Sequence, residues 1–304
     1  MEQTSMTALI SAFARAFHSQ NNETAVFRDD VARQLFTDEE YQRISDTMSA
    51  GIVFFNPAFN GNSDQALRWI VDNQLSPVPL GRAAFAENSL ERAAQIGAGQ
   101  YLILGAGYDT FAYRQPVWAN ALQIFEIDRP AAVKEKQERL EKAGITIPAN
   151  VYYIEADFAK TTWHATLLQH KAFDCTKRSF STALGVVYYL SEQDFYALLS
   201  DLSSILPKGS SLLFDYPDET SYTAKAGPQA SKQAMLAEAA NEKMLASYSY
   251  REMERLLAAH GFLVYEHLTP REMTAQYFSA YNSANPSHCM AAFDHVNYCL
   301  AVKQ

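Results

Sequence analysis

The stretch that decides the reading is QYLILGAGYDTFAYR, residues 100–114, followed by LQIFEIDR, residues 122–129. Each contains an apolar run; the first ends in Gly105 and Gly107, the second in Glu126 and Asp128. Strand, glycine turn, helix, strand, acid is the order in which a chain cradles an adenosine-bearing ligand over the ends of parallel strands. The glycines leave room for a close backbone approach that a Cβ would occupy. Glu126 and Asp128 stand where a carboxylate can accept hydrogen bonds from a ribose diol. Asp128 follows Gly107 by 21 residues, near the roughly 20 expected of such a unit.

The residues between the glycines and the helix select the ligand. A dinucleotide site wants a third small residue three places after the second glycine, so that helix and strand close up beneath a pyrophosphate. Thr110 fills that place here, behind Tyr108 and Asp109. The charge on Asp109 would repel two phosphates and suits a cation such as the sulfonium and ammonium of S-adenosylmethionine. The residues therefore favour that cofactor over a nicotinamide dinucleotide, with a glycine turn that binds nothing as the remaining alternative.

Outward from this stretch, 304 residues suffice for one large α/β domain with additions or for two small domains. With 48% apolar and 19% charged residues the chain can bury a sizeable core, which argues against disorder. A net charge of −9 disfavours nucleic acid or an anionic membrane as the main partner. Cys175, Cys289 and Cys299 are scattered and read as buried thiols in a reducing cytosol. No basic n-region precedes a continuous apolar run at the start, and no apolar run approaches the roughly 20 residues a bilayer needs. A soluble, cytoplasmic protein is expected.

Residues 1–98 read as a helical N-terminal arm that packs on the sheet and roofs the cofactor. Apolar stripes of helical period run over 8–17, 29–36 and 63–75, and a helix over 80–96, with loops at 54–57 and 76–79. Residues 99–304 read as the cofactor-binding core. Strands are expected at 100–104, 121–127, 151–154, 179–183, 211–215, 262–268 and 296–302, the last as an antiparallel edge. Helices are expected at 128–143, 192–205 and 250–260. This alternation predicts a Rossmann-like α/β fold, a seven-stranded mostly parallel sheet with helices on both faces. Segments 216–249 and 269–288 interrupt the rhythm and read as lid insertions over the crevice, where an acceptor would bind.

Asp157, closing EADF after the third strand, fits either a hydrogen bond to an adenine amino group, with Phe158 covering the ring, or a helix N-cap. Arg82 and Arg15, both on helices, fit either a bidentate pairing with the cofactor's carboxylate or a solvated surface. In SFSTALGVVYYL, residues 179–190, Gly185 permits a close backbone approach. Tyr188 and Tyr189 can face a methylsulfonium or fill the core, Tyr188 the more core-like of the two. Arg271, Tyr277 and Tyr281, with Tyr189, are candidates for an acceptor pocket, although packing of lid and core is the favoured account of the first three. His288, Cys289, Asp294 and His295 match no zinc spacing, so no metal site is expected.

Taken together, LILGAGYDTFAYR, FEIDRP, EADF and GVVYYL, preceded by an ARA helix and FRDDVARQL, resemble the leucine carboxyl methyltransferase-like family. These are S-adenosylmethionine-dependent methyltransferases with a bacterial branch of polyketide-type O-methyltransferases. The resemblance covers nearly the whole chain. It implies a class I methyltransferase fold, Arg82 holding the methionine carboxylate, Gly105 and Gly107 forming the turn, Asp128 on the ribose and Asp157 with Phe158 at the adenine. Arg15 aligns with a further basic contact. The chain departs from the family at Leu184, where many members carry a glutamate before the glycine.

The chemistry of methyl transfer shapes the expected acceptor. A carboxylate, with a pKa of about 4, is ionised at neutral pH and needs no base, whereas a phenol near 10 does. No histidine falls in the strand-end motifs, which favours a carboxyl over a hydroxyl acceptor. Alternatives are a cofactor-binding descendant without catalysis and a nicotinamide-dependent oxidoreductase.

Overall fold

The computed structural model describes residues 5–158, 163–239 and 242–304. Four residues of the arm, four after the EADF segment and two of the first expected lid lie outside these ranges.

The chain begins with helices α1 (Met6–Asn21), α2 (Asp38–Ala50), α3 (Ile52–Phe55), α4 (Ser63–Ile70) and α5 (Pro77–Gln95). Local sequence sets their starts. Ser5 and Thr37 accept the backbone N–H three residues on, and Asn62 with Gln65 forms a reciprocal capping box. Asp38, Glu39 and Glu40 complement the positive end of α2. A wide turn at Val71–Leu75 joins α4 to α5. The loop expected at 76–79 is in fact the first turn of α5. Pro77 stands at its start, where an N–H would have no intrahelical partner. Likewise Phe54 and Phe55, expected in a loop, end the short α3.

The core alternates β1 (Gln100–Leu104), β2 (Gln123–Asp128), α6 (Pro130–Lys142), β3 (Val151–Glu155), α7 (Trp163–Gln169), β4 (Ser179–Ala183), α8 (Glu192–Ile205) and β5 (Ser211–Pro217). It finishes with α9 (Gly227–Ala239), α10 (Tyr250–Ala259), β6 (Phe262–Leu268), α11 (Pro270–Met273), α12 (Ser279–Ala284) and β7 (Val296–Lys303). The strands form one seven-stranded sheet in the order β3-β2-β1-β4-β5-β7-β6. β7 is antiparallel to both neighbours, as expected of its direction, but lies inside the sheet with β6 at the edge. The residues explain the exchange. β7 is almost wholly buried, whereas β6 turns Leu263 and Tyr265 to solvent and breaks its register near Val264.

Alternation along β1 splits the core. Leu102 and Leu104 face Phe195 and Leu199 of α8, Leu257 of α10 and Trp163 of α7. Tyr101 and Ile103 face Leu80, Phe85 and Leu90 of α5. A third cluster joins arm to sheet, with Phe13 and Phe17 of α1 against Leu35, Phe36 and Tyr108. Burying each such side chain stabilises the fold by about 1.5–3 kcal/mol. The cysteines are free, and only Cys299 is buried; Cys175 and Cys289 are exposed, contrary to expectation. Among the described residues no helix is long and apolar enough to cross a membrane.

Arm and core also meet through a buried charge. The carboxylate of Asp29, at 0% exposure, accepts from Arg15 Nε at 2.8 Å and Thr110 Oγ1 at 2.7 Å, with Arg114 Nε at 3.5 Å. Burial pushes its pKa up, but Arg15 and Arg114 outweigh that and hold it below the ordinary 3.8. The folded state therefore binds this proton less readily than the unfolded chain, so the stabilisation is present at neutral pH and lost as pH falls below about 4. Asp29→Ala is expected to lower stability by about 3–5 kcal/mol at pH 7, because it leaves Arg15 buried without its anion and Arg114 with Glu87 alone. In urea unfolding, the gap between wild type and variant should narrow below pH 4.

Candidate active site

The order of parallel strands reverses between β1 and β4, and a crevice opens there above their carboxyl ends. It is a cavity of about 930 Å³, at the upper end of the roughly 300–1,000 Å³ typical of small-molecule sites. Its floor comes from the turns after β1, β2, β3 and β4, its roof from α1, α3 and α5, and one side from α9 and the segment after it.

The glycine turn after β1 is held by its neighbours. Gly105 and Ala106 donate to Ile127 O at 2.8 and 3.2 Å, so the chain stays bound to β2 as it bends. Gly105 has φ +68°, and a Cβ there would meet Val186 Cγ2 at 2.6 Å. The requirement for glycine at this position thus comes from backbone and packing as well as from room for a ligand. Gly107 donates to Asp128 Oδ2 at 2.7 Å, and Arg129 N to Asp128 Oδ1 at 2.7 Å. Each carboxylate oxygen keeps a second lone pair for a diol. Asp109 Oδ1 accepts from Phe111 N at 2.8 Å and also lines the cavity, as do Asp157 and Phe158 beyond β3.

Opposite, two arginines of the arm reach in. Arg82 Nη1 lies 3.2 Å from Asp215 Oδ2 and Nη2 donates to Ser11 Oγ at 3.3 Å. Asp215, the last acid of β5 and fully buried, also accepts from Gly185 N at 2.7 Å and Tyr188 Oη at 3.0 Å. Burial would lower the Arg82 pKa, and Asp215 more than reverses this. Gly185, at φ +68°, has the guanidinium packed on it: a Cβ would stand 2.4 Å from Arg82 Nη1. Arg15 spends its donors on Asp29, Ser11 and the Tyr108 carbonyl, the last at 2.6 Å, while still facing the cavity. Tyr189 lines the cavity beside Leu184. Burial raises its phenol, opposed by a hydrogen bond to Thr7.

The remaining expected site residues lie elsewhere. Glu126 points away from the cavity and is sealed between Lys136 Nζ at 2.8 Å and Tyr113 Oη at 2.9 Å. Two positions from Asp128 on one strand, it shares that residue's sheet face but sits deeper under α6. Arg271 is exposed on α11, Tyr277 packs edge-on against Phe85, and the Tyr281 hydroxyl accepts from Arg68 Nη2 at 3.0 Å. These residues belong to the second expected lid, 269–288, which contributes nothing to the cavity wall. Met273 and Phe278 instead close against Gly81 of α5. The first insertion does reach the cavity, through Leu236, Ala237, Glu242, Lys243 and Met244. The Glu242 carboxylate accepts from Thr7 N at 3.2 Å and from Thr7 Oγ1, and Leu245 N donates to Tyr188 O at 2.8 Å. His288 faces Asp72 and His295 faces Asp218, far from one shared centre.

Sequence reasoning passed over Asp29, Asp215 and Glu242. For Asp215 the signal was present, an apolar strand ending in an acid just as β2 does. For the other two, only tertiary structure brings the partners together.

The profile of the leucine carboxyl methyltransferase family matches residues 8–203. The chain is 40% identical over 307 residues to YktD of Bacillus subtilis, covering 99% of each protein. The chain belongs to the leucine carboxyl methyltransferase family of S-adenosylmethionine-dependent methyltransferases. A Mycobacterium marinum protein is 28% identical over 265 residues, 86% of this chain and 75% of its own; it and YktD both carry the name of S-adenosyl-L-methionine-dependent methyltransferases. The fold agrees with that of a DUF574 family protein from Streptomyces avermitilis, at TM-score 0.58, 15% identity and 97% coverage of both chains. A Thermobifida fusca protein described as a methyltransferase gives TM-score 0.56 at 15% identity, over 99% and 96% of the chains.

The residues present fit the family's cofactor. A glycine turn open to the cavity, acids after β2 and β3, and an arginine at the opposite end match an adenosine with a zwitterionic tail. Asp128→Ala is expected to weaken binding of S-adenosylhomocysteine by about 1–3 kcal/mol, roughly 5- to 150-fold. Calorimetric titration reads this directly, and unchanged affinity would move the ribose away from Asp128.

Proposed function

We propose that the chain transfers the methyl group of S-adenosylmethionine to an oxygen of a small carboxylic acid, with a hydroxyl acceptor as the second reading. The observation that supports the carboxylate is that no histidine appears among the described residues lining the cavity. A carboxylate acceptor is already ionised at pH 7 and needs no base. Among the acids of the cofactor half, Asp109 and Asp128 are engaged with backbone N–H groups and Glu135 with Tyr108 and Arg139. Glu242 is the group that a hydroxyl acceptor would have to recruit, and it is tied to Thr7.

When bound, S-adenosylmethionine supplies an electrophilic methyl carbon on a sulfonium. The chain's part is to align the acceptor oxygen with that carbon and to keep water away. In this reading Tyr189 presents its hydroxyl at the acceptor, and Lys243 on the rim supplies a cation for the carboxylate. Leu236, Ala237 and Met244 close the cavity from the lid side. No proton moves, so no acid or base is required. The net charge of −9 supports a small-molecule acceptor over nucleic acid or an anionic membrane. The resemblance to polyketide-type enzymes supports a place in secondary metabolism.

The test is to supply S-adenosylmethionine with a panel of acids and phenols and to identify products by mass spectrometry. Methyl esters are expected, with kcat/KM nearly flat between about pH 6 and 9. Methyl ethers alone, formed at rates that climb about tenfold per pH unit towards the phenol pKa, would overturn the carboxylate reading. Cofactor binding without transfer to either class would point to a non-catalytic descendant.

A further inference from the structure

The cavity is divided by polarity, and its second half has no use in binding the cofactor. Charged and hydrogen-bonding groups gather over the strand ends. The far half, between α2, α3 and the lid helix α9, is walled mainly by Met48, Phe54, Phe55, Leu75 and Leu236, with Thr47 and Gln74 as its polar members. Gly51, which joins α2 to α3, also lines it. The lid helix is fixed across this half by two contacts to the arm. Lys232 Nζ donates to Phe55 O at 3.1 Å and sits 5.5 Å from the centre of the Phe54 ring. Gln229 Nε2 donates to Asn73 O at 2.8 Å. The apolar character continues out through the opening: Phe54 is 41% and Leu236 45% exposed, and Val53 and Met235 beside them 66% and 59%. Contiguous exposed apolar residues at a cavity mouth mark a ligand site rather than ordinary surface.

From this division we infer that the slot between α3 and α9 is a subsite for a hydrocarbon tail, and that the acceptor is an amphiphilic straight-chain acid. The inference rests on the carboxylate reading above for the head group. Its carboxylate lies at Tyr189, within reach of the cofactor's methyl, and its chain runs outward past Phe55 and Leu236. The tail is buried by α3 on one side and by α9 on the other, so chain length is sensed until the chain passes Val53 and Met235 at the rim.

Turnover of straight-chain acids from four carbons upward tests this, together with calorimetric titration of decanoate into the S-adenosylhomocysteine complex. Full burial of a methylene is worth about fourfold, so kcat/KM is expected to rise two- to fourfold per methylene and then to level off. Decanoate should bind the complex, and Leu236→Asp, at a half-exposed position that tolerates a charge, should weaken it at least tenfold. Methyl esters formed at rates independent of chain length, or decanoate affinity unaltered by Leu236→Asp, would overturn the tail subsite and leave the carboxylate reading intact. Decanoate bound in a Leu236-dependent way without turnover of any acid would uphold the subsite and overturn the carboxylate reading instead.

Discussion

The seating of the arm on the glycine turn depends on one buried carboxylate. Asp29 lies in a short irregular stretch of the arm and is wholly removed from water, a state that costs several kcal/mol for an unpaired ion. Its partners come from two places, Arg15 from the first helix and Thr110 with Arg114 from the turn that follows β1. The charge is satisfied only when the arm is seated on the glycine turn. Arg114 is in turn clamped by both oxygens of Glu87 on α5 and lies 4.9 Å from the Phe27 ring, so a second arm helix joins the arrangement. Roof and floor of the cavity are thus not separately stable parts that happen to meet. They share one set of charges.

A second acid repeats the device at the far wall. Asp215 takes a guanidinium N–H, a phenol O–H and a backbone N–H, which together set the direction of Arg82, the position of Tyr188 and the bend at Gly185. Asp29 pairs with Arg15 and Asp215 with Arg82, two of the arginines that line the cavity, so both present oriented donors rather than loose positive charge. That favours recognition by geometry over bulk attraction of anions, in keeping with the acidic chain as a whole.

How far the sequence was legible follows from the range of the forces involved. Runs of five to seven strand-forming residues bounded by turns mark strands, and β1, β4 and β6 begin and end where the pattern says. Asp128 was legible because its role comes from a local unit, one strand and one turn. Placement of β7 inside the sheet was not, since its direction follows from chain reversal while its neighbour depends on how α11 and α12 route the chain over α5. The same routing takes Arg271, Tyr277 and Tyr281 away from the crevice. Glu126 shows the limit of strand-end reasoning: one step of the pleat repeat separates an acid at the rim from one sealed beneath α6 with Lys136. Asp29 has no periodic context at all, and only the tertiary fold reveals it.

The closed arrangement also constrains how ligands come and go. Glu242 joins the lid to the first turn of α1, where its charge accepts from Thr7 N and Oγ1 and lies in the positive field of the helix start. Hydrogen bonds to a charged group are worth about 1.5–3 kcal/mol net. Thr7, at the start of the helix that caps the cavity, thus ties down Glu242 and also hydrogen-bonds Tyr189 in the cavity wall.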